Sequence, residues 1–443
     1  MNDSPAPQAQ TNPAPTRVRY GVLWFAVTLA IITYIDRVCM SQAAPDIRRD
    51  LGLNKEEMSF VFGAFTLAYG LFEIPGGWMG DRFGPRRTLM RVVMLWSVFT
   101  VATGRAWNWL SMIVCQFCFG AGEAGCFPNL SKVFTIWLPS HERVRAQGIM
   151  WLAARWGGAF TPLLVMWVLS FTNWRTAFLL FGLLGVVWAV LFHLWFRDNP
   201  REHPAVNAAE LALLDGAEKN AVGHGDVPWG RFLGSRTAWL LWLQYFCISY
   251  GWYFYITWLP TYLREGRHVA LEKSALLAGL PLFFGGLGCL FSGMVAARLA
   301  TWLGGTARAR RLLAFVGQAG AGVMLVCSTW IVSPTLAMVS LGLASFGNDL
   351  SMPAAWGACM DVGGKYAGSL SGSMNMFGQL GGFAGSLAVA QILKYSGDNW
   401  ALTLWVAAAI YWVGAVSWLF IDPVTPLDRD DRVHPSPVTE ADP

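Results

Sequence analysis

The sequence predicts an all-α integral membrane protein of twelve transmembrane helices in two six-helix halves. Three observations predict it. The 443 residues are 55% hydrophobic and only 13% charged, with 24 Trp and 28 Phe, a composition no soluble domain of this length needs. Apolar runs of bilayer-spanning length recur along the chain. A single long polar connection, 197–236, divides them six and six, which is how two parallel halves of a secondary transporter read. The net charge of +5 is too small and too scattered for nucleic-acid binding. All eight cysteines fall inside apolar segments and read as small core residues, so neither disulfides nor a metal site is expected, and no cofactor is called for. No HExxH or Gly-x-Ser-x-Gly occurs, and the lone Cys115-Gln116-Phe117-Cys118 lies inside an apolar run with no second such motif to pair with, which argues against an intramembrane enzyme.

Taken in order, residues 1–19 read as a disordered cytoplasmic tail without a cleavage site, leaving the first span as an uncleaved signal anchor. Spans 1 to 6 are predicted near 20–42, 56–78, 88–106, 108–131, 146–170 and 175–196, the N-terminal bundle 20–196. After the cytoplasmic loop 197–236, spans 7 to 12 follow near 237–263, 275–299, 311–331, 334–359, 366–393 and 400–420, the C-terminal bundle 237–420. Residues 421–443 form a cytoplasmic tail. With the N-terminus inside, the inner segments carry more than twice the Lys and Arg of the outer ones, so both termini are expected to be cytoplasmic in a cell inner membrane.

Span 1 contains Tyr34-Ile35-Asp36-Arg37, an acid and a guanidinium in an otherwise apolar run. Such residues cost roughly 2.5 to 3.5 kcal/mol apiece on insertion scales, so they usually face a protein interior or a water cavity and serve ion or substrate movement. The plainer alternative is a mutually neutralising pair that only fixes helix packing. Between spans 2 and 3 the chain reads Gly76-Gly77-Trp78-Met79-Gly80-Asp81-Arg82-Phe83-Gly84-Pro85-Arg86-Arg87. Its glycines allow close backbone approach, Asp81 can meet an arginine or a helix N-terminus, and the arginines suit the headgroup region. Gly77, Asp81, Arg82, Gly84, Arg86 and Arg87 are therefore candidates for a conformational switch between bundles. A degraded echo, Gly293 to Arg298 with Gly304, Gly305, Arg308, Arg310 and Arg311, follows six spans later.

This Gly-x-x-x-Asp-Arg-x-Gly-x-Arg-Arg pattern resembles the hallmark of the major facilitator superfamily, and the resemblance covers residues 20–420. A narrower resemblance rests on Tyr34 to Arg37, Phe119 to Ala124 with Phe127-Pro128, Glu142 to Gly148, Trp258 to Leu263, and Glu202-His203-Pro204 with Asn207 and Glu210. These look like the anion:cation symporter family, which implies proton-driven uptake of organic anions, often sugar acids such as hexuronates, aldonates or aldarates. On matched positions the resemblance implies Asp36 and Glu123 as protonation sites and Arg37 in coupling and substrate binding. The family's arginine seven residues before the span 4 glutamate is Gln116 here. Either Glu123 then holds its proton or another cation serves it, and Arg155 is the candidate.

At ~1.5 Å per residue, the N-terminal half places Arg37, Tyr69, Gln116, Glu123 and Arg155 in one layer near mid-membrane, where transporter sites sit. Arg155 could instead reach a helix-end carbonyl or pack into the Gly157-Gly158 bend, and Tyr69 could be an interhelical hydrogen bonder. The second half offers Tyr250, Tyr253 and Tyr255, the pair Asn348-Asp349, and Ser371, Asn375 and Gln379. Asn375 and Gln379 share a helical face suited to hydroxyl contacts. Asp349 has no evident arginine, and Asp361 is expected to pair near Lys365. The expected substrate contacts are thus Tyr34, Arg37, Tyr69, Gln116, Arg155, Tyr253, Asn375 and Gln379. The resulting expectation is a monomeric symporter moving protons with a small organic anion across a lipid bilayer. An exporter or facilitator, or a transport-dead sensor on the same fold, is the alternative.

Overall fold

The protein is described by a computed structural model covering residues 14–214, 227–269 and 271–427. Residues 1–13 and 428–443 of the two tails and 215–226 of the central loop lie outside the described residues, and with them most of what the sequence predicts for the tails. Helices occupy all twelve predicted positions. The first six are Val18–Leu51, Lys55–Phe83, Pro85–Thr103, the broken pair Trp109–Glu123 and Cys126–Trp137, Ser140–Leu169, and Trp174–Trp195. The next six are Arg236–Tyr253 with its continuation to Gly266, then Leu271–Trp302, Thr306–Trp330, Pro334–Gly363, Ala367–Ser396 and Trp400–Trp418.

Several helices run beyond the predicted apolar runs, for a physical reason. Span 1 continues nine residues past 42 because Ala43 and Ile47 still face the core while Arg49 and Asp50 face outward. It stops at Gly52, whose φ of 68° is left-handed and whose N–H returns to the Arg48 carbonyl. Asn54 and Glu57 form a capping box that starts span 2. Span 4 breaks at Ala124-Gly125, one turn before Pro128, whose ring has no N–H to bond the Ala124 carbonyl. Span 7 loosens into π-helical turns at Phe254–Trp258 and Tyr262–Gly266 on either side of Pro260.

Packing repeats with an offset of six spans. Span 1 packs on 5, 2 on 4 and 3 on 6; span 7 packs on 11, 8 on 10 and 9 on 12. The halves meet through spans 2 and 11 and through spans 5 and 8, and each seam is lined by glycine. A Cβ on Gly77 would lie 2.2 Å from the Gly368 carbonyl oxygen, and one on Gly148 would lie 2.5 Å from the Cys289 carbonyl oxygen.

Both described ends of the chain reach one end of the bundle. Glu210 accepts from the Val18 and Arg19 N–H groups and from the Arg19 guanidinium, while the Leu427 N–H donates to the Val362 carbonyl. This linker end is also where the halves are tied by charge. Asp81 caps span 11 of the other half by accepting from the Gly368 N–H at 3.1 Å and from the Ser369 N–H and Oγ at 2.6 and 2.7 Å. Lys132, fully buried, lies 3.4 Å from Asp81 and donates to the Lys365 carbonyl. Asp361 binds Arg143 of span 5 and Arg310 of span 9, the latter at 2.6 Å. Beyond the expected neighbourhood of Lys365, Asp361 thus holds two guanidinia, whose planar donors suit a carboxylate better than a single ammonium.

Of the other loop residues, Gly84 has a φ of 85°, open to glycine at little cost. Arg86 donates from Nε and Nη2 to the His193 carbonyl at 3.0 and 2.6 Å and so anchors span 3 to span 6. Arg82 stacks on Trp78 and Phe83, and Arg87 is exposed.

Candidate functional site

The layer predicted from depth is assembled between the halves. Arg37 on span 1 donates from Nε to Glu123 Oε1 at 2.6 Å, and its guanidinium carbon lies 4.5 Å from the Tyr69 ring centroid. Phe65 and Tyr34 complete an aromatic cradle around it. The Arg37 side chain keeps 25% of its surface exposed, while Glu123 at the break of span 4 is fully enclosed. A guanidinium that is paired on one edge and open on another is equipped to take an anion. Asp36, adjacent in sequence, points the other way. It is 2% exposed, neither carboxyl oxygen has a hydrogen-bond partner among the described residues, and its polar neighbour is the Trp96 indole of span 3.

Arg155 does not serve Glu123, correcting the expectation from the missing family arginine. Its Nε and Nη2 donate to Asp349 Oδ2 and Oδ1 at 2.7 and 3.0 Å, a bidentate pair joining span 5 to span 10. The guanidinium sits 3.4 Å from the Trp252 ring centroid, and Nη1 donates to Tyr34 Oη at 3.4 Å. Asp349, for which no arginine was evident in the sequence, therefore has one from the other half. Its seat exists because residue 285 is glycine: a Cβ there would fall 2.4 Å from Asp349 Oδ2.

Gln116 is buried and donates to Thr103 Oγ1 at 3.2 Å, facing span 3 rather than the layer. An uncharged amide with a hydroxyl at hand has no cause to turn toward Glu123, so the structure separates it from the other predicted contacts. Asn375 reaches across the halves, donating to Tyr69 Oη at 3.3 Å and to Glu73. Gln379 instead stays within its half, accepting from Tyr253 Oη at 2.5 Å. The two amides predicted to act together thus hold different partners.

Sequence reasoning missed Glu73, which is fully buried on span 2 one turn beyond Tyr69. The signal was present, since an acid inside the apolar run 64–74 deserves the same suspicion as Asp36. Lys132, one residue past the predicted end of span 4, was likewise not singled out.

Twelve spans in two repeating halves, with paired charges buried where the halves meet, define a membrane transporter. Comparison with known proteins agrees: a model of the Major Facilitator Superfamily matches residues 26–386, and the chain belongs to that family. It is 35% identical over 424 residues to a probable sulfoacetate transporter of Cupriavidus necator, covering 94% of this chain and 96% of that one. It is 30% identical to a probable galactarate/D-glucarate transporter of Escherichia coli K12, covering 86% and 89%. A D-galactonate transporter of Escherichia coli O6:H1 is 28% identical over 92% and 96%. Among solved structures, a proton:xylose symporter superposes with a TM-score of 0.72 at 12% identity, covering 92% of this chain and 97% of that one. The fucose:proton symporter of E. coli gives 0.70 at 13%, covering 91% and 99%. At such identities these two establish the shared fold. The chain is a multi-pass membrane transporter and not an enzyme.

Proposed function

We propose that the protein takes up a small organic anion together with protons by alternating access, as a monomer in a bacterial inner membrane with both termini cytoplasmic. The observation that carries the proposal is the half-open Arg37 guanidinium bonded to a fully enclosed Glu123 in the layer between the halves. Arg37 takes the anionic group of the substrate, and a proton on Glu123 removes the competing charge, so proton and anion favour one another's binding. Asp36, enclosed beside the Trp96 indole, is the second proton carrier. Tyr34, Tyr69, Tyr253, Asn375 and Gln379 supply polar contacts to the rest of the substrate. The switch is the cluster at the linker end: Asp81 must leave the start of span 11, and Asp361 must leave Arg143, before the halves can part there.

Relatives named for sulfoacetate, galactarate or glucarate, and galactonate support an organic acid as substrate. A sugar acid fits the polar groups of spans 7 and 11, and a short sulfonated acid fits the relative with 35% identity. The test is uptake into proteoliposomes under an inward proton gradient, with sulfoacetate, galactonate, galactarate, glucuronate and a neutral hexose. Saturable accumulation of an acid, collapsed by a protonophore and absent for the hexose, is the expected result. Movement that ignores the gradient would leave a facilitator or exporter, and movement of no anion would overturn the proposal.

A further inference from the structure

Resting on the reading of Arg37 as an anion site, we infer that Arg155 is a second anion site, held in reserve by Asp349, and that the transporter is built for acids carrying two anionic groups. Asp349 makes with Arg155 the fork-to-fork contact that a substrate carboxylate or sulfonate would make. It comes from the opposite half, so it is a removable occupant rather than a fixed neighbour. Tyr34 joins the two sites: Arg155 donates to its hydroxyl at 3.4 Å, and the Arg37 guanidinium carbon lies 5.9 Å from its ring centroid. Because that hydroxyl accepts from Arg155, its own proton is directed elsewhere and is available to an anion lying between the guanidinia.

The two sites differ in what already occupies them, yet the exchange is the same. At Arg37 the outgoing acid is Glu123, and at Arg155 it is Asp349. A substrate with one anionic group fills the first site and leaves the Arg155–Asp349 tie closed. A dianion reaches both and releases span 10 from span 5. Around the Asp349 carboxylate stand Arg155 of span 5, Tyr255 of span 7, Cys289 of span 8 and Tyr411 of span 12. Among these Arg155 is the one cation, and Asn348 Nδ2, 3.1 Å from Oδ1, keeps a donor on the carboxylate when it swings away.

The test is calorimetric binding to the purified full-length protein with matched acids: galactarate against galactonate, and sulfoacetate against acetate. In the wild type at least one dianion binds about tenfold tighter than its monoanionic partner. Removing the occupant by Asp349→Asn tightens dianion binding several-fold more than monoanion binding. Because that variant leaves a buried cation unpaired, the neutral double variant Arg155→Gln with Asp349→Asn is measured beside it. There the preference for two anionic groups disappears while the monoanion still binds. Equal binding of monoanion and dianion by the wild type, or an undiminished preference in the double variant, overturns the second site alone. Binding of no acid by the wild type overturns both this inference and the anion site at Arg37.

Discussion

Two arginine–carboxylate pairs occupy one layer of this protein, and they are built differently. Arg37 and Glu123 belong to the same half, meet through a single Nε–Oε1 contact, and leave the guanidinium partly open. Arg155 and Asp349 belong to different halves, meet through two contacts, and are enclosed on every side, with Trp252 against the guanidinium. Changing the partner of the first pair leaves the geometry of the halves alone, whereas changing the partner of the second alters what holds them together. The contrast teaches that charge at a transporter's centre can do two jobs at equal depth. In the proposed reading both pairs exchange an acid for the substrate, but only at the second does the exchange untie one half from the other.

The comparison breaks most directly at Arg37. Arg37→Ala removes the open cation and strands Glu123, a loss of about 2–5 kcal/mol for one partner of a buried bonded pair. Proteoliposome uptake at low substrate should then fall at least about thirtyfold. Arg37→Lys, which keeps the charge but not the fork, should recover only part of it. Unchanged substrate affinity in Arg37→Ala would end its assigned role. Next in size is Glu123→Gln, which fixes the acid in a neutral form. Accumulation against a gradient should vanish while counterflow exchange stays within about threefold of wild type, since the anion contact persists and only the linkage is cut. Full pH-driven accumulation in that variant would remove Glu123 from coupling.

Much of the fold was legible because it depends on one-dimensional features: apolar runs of the right length, a polar divider and unevenly placed basic loops. The helix ends were less so. The last turns of spans 1 and 2 continue past the apolar runs, since Ala43 and Ile47 still pack on the core and Asp81 is bonded to the start of span 11 outside the greasy stretch. In the site, depth put Arg37, Tyr69, Gln116, Glu123 and Arg155 in one layer, and contacts connect all of them but Gln116, with Tyr34 as the link to Arg155. Depth says nothing about direction around a helix. That is why Arg155 was assigned to Glu123 when it faces Asp349 of the other half, and why Gln116 was placed with Glu123 when it turns to Thr103. A pair between residues 194 apart in the chain leaves no periodicity to read. Glu73 is a different case: a lone acid in an apolar run was visible and simply went unweighed.

A milder change sharpens the comparison by disturbing geometry without touching charge. Gly285→Ala would put a methyl group 2.4 Å from Asp349 Oδ2 and 2.8 Å from Ser345 Oγ. The short aspartate side chain must swing aside, so its fork to Arg155 is lost or strained while Arg37 and Glu123 keep theirs. The maximal uptake rate should change by about three- to tenfold, an overpacking cost of roughly 1–3 kcal/mol delivered to one state more than the other. The half-saturating concentration for a monocarboxylate should stay put. A shift in that concentration with an unaltered rate would mean that the cross-half pair contributes to binding rather than to the movement of the halves.

The smallest effect is expected at Glu73. It touches Asn375 across the halves and Tyr69 beneath Arg37, yet among the described residues no guanidinium is bonded to it. Glu73→Gln keeps an acceptor oxygen for Asn375 and Tyr69, so uptake and its pH dependence should stay within about twofold of wild type. Glu73→Ala leaves the buried Asn375 amide with only the longer bond to Tyr69, a penalty of about 1–3 kcal/mol that should appear as a lowered melting temperature in detergent and a raised half-saturating concentration. If Glu73→Gln instead abolished proton-driven accumulation, a third carboxyl would share the coupling. The division of labour between the two arginine pairs would then have to be redrawn around span 2.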